Sequence, residues 1–308
     1  MIVMMLVALL LLPTLAEAQW TNEPSGSTNL LNCTFDNNTC NGQILNLFNS
    51  GTIQQPSPAG LVSPTNALTS TLNPCKSDYT NPPPPALGSG CQGGGEWIYP
   101  PNTATAASRR ELYVGLIFMM NTGFQQNSVG TNKIFFMRAH NWLFGGSPTN
   151  GYFAVRGPVT GMQLIFSHNT GAIDNSHTCS EQLGLTCFPN AGSVTLVRGV
   201  QYKIEACIRA STTTTSRDGV LKVWVNGVKI HDRTNFNYGT GVVNETLIGQ
   251  TWDGAGNGCC PTQQWNFYFD HWRVSAPPSG GCGTPSQPPL DNPPGAPGTV
   301  TGVTVTVQ

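Results

Sequence analysis

The sequence is short of charge. Of 308 residues, 14 are Lys or Arg and 15 are Asp or Glu, which is 9%, against roughly 25% in an average soluble domain. Helical bundles and coiled coils use Glu, Lys and Arg for helix propensity and for surface pairs, so this composition argues against both. A net charge of −1 gives no electrostatic basis for nucleic acid or an anionic bilayer as partner. No G-x-S-x-G, H-E-x-x-H or Walker string occurs, which removes the common nucleophile-elbow, zincin and P-loop chemistries. No C-x2-C pair occurs either, so a structural zinc site has no framework. Beyond the N-terminus no segment is apolar enough to cross a bilayer, which takes about 20 residues. What the chain has instead is 35 Gly and 24 Pro, with a polar surface that must come mostly from Asn, Thr, Ser and Gln. That is a β-rich, loop-rich chain.

Residues 1–18 read as a secretory signal peptide: an apolar run from Met1 to Leu12, then Pro13, then the A-x-A cleavage pattern Ala16-Glu17-Ala18. The reading makes the protein secreted, in an oxidising place where disulfides form. Ten cysteines fit that compartment. The close pairs Cys33–Cys40, Cys75–Cys91 and Cys179–Cys187 suggest local staples, each adding ~2–4 kcal/mol and less for the shorter loops. The adjacent Cys259 and Cys260 either pair with distant partners such as Cys207 and Cys282 or bridge each other. Sequons at Asn32, Asn37 and Asn244 matter only in a eukaryotic secretory route.

Residues 19–95 carry few periodic runs. From Glu111 onward the pattern becomes strand after strand: Leu112 to Met120, Lys133 to His140, Tyr152 to Arg156, Met162 to His168, Gly192 to Val197, Gln201 to Arg209, Gly219 to Asn226, Val228 to Asp232, Thr246 to Trp252, and Trp265 to Ser275. Asn226-Gly227 is the strongest short hairpin signal among the separating turns. Many short strands with no helical periods between them predict an all-β, two-sheet antiparallel jelly-roll sandwich over 19–275. A Pro/Gly-rich linker follows over 276–298. Residues 299–308 alternate Val with Thr or Gly and read as an isolated strand.

Four stretches give the region from Arg109 to Ser275 its likeness to known proteins. They are S-R-R-E-L-Y-V-G-L-I-F-M, N-K-I-F-F-M-R-A-H, D-G-V-L-K-V-W-V-N-G-V-K-I and W-N-F-Y-F-D-H-W-R-V-S. The region resembles the concanavalin A-like jelly rolls, and among them the polysaccharide-lyase group of heparin-lyase-like and alginate-lyase-like enzymes. The tail around P-G-A-P-G-T-V-T-G-V-T-V resembles the start of a fibronectin type III module, cut short. The lyase resemblance implies two curved sheets and a concave face that holds a polysaccharide. The chain departs from the alginate-lyase strands in having Tyr113 after Arg110-Glu111-Leu112, and Arg138 where the group's Q-x-H strand has Gln. It has no Y-F-K-x-G-x-Y strand. It also lacks the E-x-D-x-x-E string of the laminarinase-type hydrolases, which argues against two-carboxylate glycoside hydrolysis.

β-Elimination on a uronic acid needs a cation or amide to neutralise the sugar carboxylate, a base for the C5 proton and an acid for the leaving oxygen. Alternate residues of a strand share a face. Ile134, Phe136, Arg138 and His140 therefore fall on one side, with Arg138 and His140 about 7 Å apart as clamp and base. Tyr152 and Arg156 share a face of the next strand, as acid or base and second clamp. The alternative for all four is a solvated strand face. Trp224, Trp252 and Gln163 are candidates for sugar contact, the two tryptophans by apolar stacking unless they are buried against loops. Asp36 and Asp270 are candidates for a structural Ca²⁺, since the resemblance implies an Asp of the last strand near the first; the alternative is a hydrogen bond or an ion pair. His168, His177, His231 and His271 show no ligand spacing and read as structural. The competing class to a lyase is a non-catalytic carbohydrate-binding or adhesion module.

Overall fold

The structure is a computed structural model that describes residues 20–36, 40, 42–46, 52–56, 61–62, 66–72, 96–100, 109–126, 131–138, 150–168, 194–213, 216, 218–236, 242–252 and 263–283. Apart from a 3-10 turn at Gly281–Gly283, its named elements are all strands. They are β1 (Thr28–Cys33), β2 (Leu45–Asn46), β3 (Thr52–Pro56), β4 (Asn66–Leu72), β5 (Glu96–Tyr99), β6 (Glu111–Met120), β7 (Thr131–Arg138), β8 (Asn150–Arg156), β9 (Gln163–His168), β10 (Gln201–Arg209), β11 (Gly219–Val225), β12 (Val228–Phe236), β13 (Glu245–Trp252) and β14 (Trp265–Ala276). They form two antiparallel sheets. The first has eight strands in the order β12-β11-β10-β6-β14-β4-β3, with β1 also on β14. The second has six in the order β2-β5-β13-β7-β8-β9. This is the jelly-roll sandwich the sequence predicts.

Alternation builds the layers. On β6, Leu112, Val114, Leu116, Phe118 and Met120 belong to the main core, while Tyr113 joins a separate cluster on the outer face of the first sheet. Phe118 meets Phe267 edge-on at 5.0 Å between ring centroids, and Phe124 packs on Trp265 at 4.8 Å. In the second sheet Phe135 stacks on Phe153 at 4.1 Å, and Phe153 meets Phe166 edge-on at 5.1 Å. Ring pairs of this kind are worth about 0.5–1.5 kcal/mol beyond their area burial. The Asn226-Gly227 turn joins β11 to β12, with φ of 50° and 79° at the two residues. That is the double positive φ a two-residue hairpin turn needs.

The outer face of the first sheet is closed by both flanks of the sandwich. The Trp20 ring lies against Gly115, so close that an added Cβ would meet it at 2.4 Å. Glu205 is fully buried. It accepts the Asn22 backbone N–H and side-chain amide, each at 3.0 Å, and the Tyr113 hydroxyl at 2.6 Å, with Lys203 Nζ at 3.3 Å. Burial, and then the Glu205 carboxylate, push the Tyr113 phenol well above the ordinary tyrosine range. Glu23 pairs with Arg273 at 3.0 Å.

From the C-terminal side, the buried Glu111 carboxylate accepts the backbone N–H groups of Gly280 and Cys282. Cys282 is disulfide-bonded to Cys207 on β10. Packed structure therefore runs past 275 to Gly283. Cys207 and Cys282 pair with each other, not with Cys259 and Cys260, because the chain folds back from the end of β14 across the intervening β6 to β10. The predicted Cys33–Cys40 bridge is present. The pairings of Cys75 with Cys91 and Cys179 with Cys187 lie outside the described residues, as do 1–18, the tail from 284, Cys259 and Cys260.

Two further differences from the sequence reading stand out. Gly192 to Val197 does not form a strand where described; Leu196 makes a lone bridge to Met162. Strands β1 and β3 to β5 come from the stretch that carried no clear period. β1, β4 and β5 have remote partners, as where β1 pairs with β14 through Leu31 opposite Val274 and Cys33 opposite Trp272, while β3 pairs with the next strand, β4.

Candidate functional site

Directly opposed residues of an antiparallel pair share a face, so the registers of the second sheet decide which side chains meet. Arg138 lies opposite Glu245, and Phe136 opposite Leu247 on one side and Tyr152 on the other. Tyr152, Ala154 and Arg156 alternate along β8, and Arg156 lies opposite Gln163 on β9. A bulge in β7 between Lys133 and Phe135 places Lys133 opposite Ala154. This shifts Lys133 onto the Tyr152 face, and its ammonium sits 4.5 Å from the centre of the Tyr152 ring. One face of the sheet thus carries Lys133, Phe136, Arg138, Tyr152, Arg156, Gln163 and Glu245. The other carries Phe135, Met137, Phe153, Val155, Leu164, Phe166 and Ile248. That apolar set is the face the sandwich interior requires.

The polar face is largely enclosed. Arg138 is 3% exposed, Lys133 8% and Tyr152 1%, while Arg156 and Gln163 are half-buried. Arg138 Nη1 donates to Glu245 Oε1 at 3.0 Å, and its guanidinium stacks 4.7 Å from the Phe136 ring centre. Asn244 N–H donates to the Arg138 carbonyl at 3.0 Å, pinning the adjoining backbone. Three cations and one carboxylate leave this enclosed sheet face with a net positive charge, which favours an anionic ligand over a neutral one.

Of the predicted site residues, the structure brings Arg138, Tyr152, Arg156 and Gln163 onto this face. His140 lies outside the described residues. Trp252 pairs with Asn132 at the end of β13, and its side chain is also outside the description. Trp224 is corrected. It points away from the interior, as its alternation with Val223 and Val225 predicts, but it lies on the first sheet and is only 5% exposed. It packs in the outer cluster with Tyr113, Val220 and the Cys207–Cys282 bridge, beside Trp20, and so offers no open ring to a sugar. The structure adds Lys133 and Glu245, which the sequence reading missed. A signal for Glu245 existed: it is one of 15 Asp or Glu residues in the chain and immediately precedes the predicted strand Thr246 to Trp252.

Asp36 and Asp270 are both engaged within the chain. Asp36 Oδ1 accepts the Asn66 backbone N–H at 3.1 Å. Asp270 is fully buried at the bulge of β14, and its Oδ1 lies 2.8 Å from the His271 backbone nitrogen and 2.9 Å from His271 Nδ1. Among the described residues no group of three or more His, Cys, Asp or Glu side chains is placed to hold a metal. The calcium expectation rests on the family resemblance alone. No described helix is long and apolar enough to cross a membrane.

No protein-family profile matches the chain, and no curated protein matches it in sequence. Solved structures do match in shape. Alginate lyase Aly36B, in a doubly substituted form bound to an alginate trisaccharide, superposes with a TM-score of 0.52 at 12% identity, over 80% of this chain and 96% of that one. A second variant of the same lyase, bound to an alginate tetrasaccharide, gives 0.50 at 11% over 75% and 96%. The marine alginate lyase of Aplysia kurodai gives 0.50 at 12%, over 73% and 87%. At such identities the likeness establishes the fold. The chain has the β-sandwich that polysaccharide lyases also use.

Proposed function

We propose that the protein binds uronic-acid-containing polysaccharide on the polar face of the second sheet and cleaves it by β-elimination. The observation that carries this reading is the convergence of Lys133, Arg138, Tyr152 and Arg156 on one face, opposite an apolar face. In this reading Arg156, half-buried beside Gln163, neutralises the sugar carboxylate, and the enclosed Arg138 adds positive charge behind it. That makes the C5 proton more acidic and offsets charge on the enolate as it forms. Tyr152 moves the proton, as base at C5 or as acid at the departing oxygen, and His140 is the second candidate for that exchange. Lys133, over the Tyr152 ring, adds positive charge where anionic charge develops. The lyase-like sandwich supports the substrate class, and the disulfides Cys33–Cys40 and Cys207–Cys282 support export to an oxidising compartment.

A second reading is a carbohydrate-binding module without chemistry. The 1% exposure of Tyr152 favours it, because a proton-transfer group must reach its substrate. Incubation with alginate, glucuronan and glycosaminoglycans separates the two. Growth of the ultraviolet absorbance of an unsaturated uronate supports cleavage. A flat trace with retained binding supports the module.

A further inference from the structure

We propose that in a eukaryotic secretory route Asn32 carries an N-glycan, and that the glycan guards the open edge of β1; this rests on the export reading above. The sequon is Asn32-Cys33-Thr34. The Asn32 amide nitrogen bonds to the anomeric carbon of a lipid-diphosphate-linked oligosaccharide. The bond from that carbon to the phosphate oxygen breaks, and the lipid diphosphate leaves as the amide gives up one proton. The fold decides which sequon has room for the product. On β1, Leu31 and Cys33 are buried in the core, so Asn32 between them points the other way, to the outer face of the first sheet. It is half-buried there, opposite Arg273, on a strand whose first residues Thr28 and Asn29 are exposed. Asn244 is placed differently. Its Oδ1 is sealed from solvent and its backbone N–H donates to the Arg138 carbonyl. Thr246, the hydroxyl residue of that sequon, is fully buried and donates to the Phe136 carbonyl at 2.9 Å. Asn37 lies outside the described residues.

The position of Asn32 supplies the glycan's use. A sheet edge presents unpaired N–H and C=O groups that another chain can join, and charge, Pro or a bulge usually blunts it. Among the described residues three strands of the first sheet, β12, β3 and β1, pair on one side only. β12 carries Lys229, Asp232 and Arg233, and β3 ends in Pro56. β1, T-N-L-L-N-C, has neither charge nor Pro, and its irregularity between Asn29 and Leu31 lies before Asn32. A glycan is bulky and solubilising, which makes up for charge that a chain with 9% charged residues lacks. It also leaves clear the polar face of the second sheet, on the other side of the sandwich.

The test expresses the full chain in a eukaryotic secretory host as wild type, N32Q, T34A and N244Q. Peptide mass spectrometry after enzymatic glycan release in heavy-oxygen water marks each occupied Asn. Sedimentation velocity reads self-association, and circular dichroism follows the fold. Expected are an occupied Asn32, a mass that falls by one glycan in N32Q and T34A but not in N244Q, and a shift of both glycan-free variants toward dimers and larger species. T34A removes the sequon and keeps the amide, so agreement between the two variants assigns the effect to the glycan; should N32Q fail to fold, T34A decides. A secreted wild type with Asn32 bare overturns the site, and one glycosylated at Asn244 overturns the structural argument for it. Glycan-free variants that stay as monomeric as wild type overturn the edge role alone. A wild type that never leaves the cell overturns the export reading, and the chain behind a host leader in place of residues 1–18 then decides for Asn32 by the same mass measurement.

Discussion

The Lys133 ammonium sits 4.5 Å above the centre of the Tyr152 ring, a contact between neighbouring strands that exists only because β7 carries a bulge between Lys133 and Phe135. Without that extra residue, simple alternation would put Lys133 on the side of Phe135, in the core. The bulge turns an interior position into one on the polar face, a use bulges commonly serve next to functional sites.

The first prediction concerns that contact. Lys133→Met keeps the side chain's length and removes its charge. Uronate turnover should fall by about tenfold or more, the scale of losing one electrostatic contact in an enclosed site. Tyr152→Phe should abolish turnover while leaving oligomer affinity within about threefold of wild type, since a phenol removed from proton transfer costs rate and not binding. Steady-state kinetics and calorimetry on the same samples check both.

The sequence showed part of this face. The period-2 reading of β7 and β8 correctly grouped Phe136 with Arg138, and Tyr152 with Arg156, because each pair lies in an unbroken stretch of strand. It missed Lys133 because a bulge is an insertion in pairing, and pairing is set by the neighbouring strand. It missed Glu245 because its partner is 107 residues away. The early strands were hidden for a related reason. Asn66 to Leu72, N-A-L-T-S-T-L, is too rich in Thr and Ser to show a clear apolar stripe, yet Ala67, Leu68, Thr69 and Ser70 are all buried between β14 and β3. Trp224 was read correctly for direction, and of the two alternatives left open for its ring the covered one holds, with the cover coming from Trp20 and the chain beyond β14, far from it in sequence.

The second prediction concerns the clasp over the first sheet. The Cys207–Cys282 bridge spans 75 residues, for which chain entropy alone gives about 4 kcal/mol. Replacing both cysteines by Ser should lower unfolding free energy by roughly 2–5 kcal/mol, read by denaturant titration. The Cys33–Cys40 bridge spans 7 residues and should cost less when removed.

The third prediction tests the seat of Trp20. Gly115→Ala puts a methyl group where the Trp20 ring lies, 2.4 Å from its nearest atom. Overpacking of this kind costs roughly 1–3 kcal/mol. Pairing it with Trp20→Ala should recover most of the clash, so the double variant is less destabilised than the two single effects added together. Additive losses in thermal melts would contradict the seat.

The fourth prediction is a pH dependence. Asp218 accepts the Thr212 backbone N–H and hydroxyl, the Ser216 hydroxyl and the Arg110 guanidinium. The two bonds from Thr212 lead in holding its carboxyl well below the ordinary carboxylate range. A depressed folded-state value means that the unfolded chain takes up the proton first. The stabilisation is present above the ordinary Asp value and is lost as pH falls below it. The pair with Arg110 is 43% and 45% exposed, so screening keeps the effect small. Asp218→Asn should lower stability near neutral pH and flatten its acid-side decline; an unchanged slope below pH 4 would contradict the assignment.

The central claim is tested most directly by following unsaturated-uronate absorbance while the wild-type chain acts on glucuronan and alginate, with Arg156→Ala beside it. The account predicts a rising trace that Arg156→Ala reduces by at least about tenfold, through loss of a charge-assisted carboxylate contact. A flat wild-type trace together with no measurable affinity for any uronate polymer would contradict it.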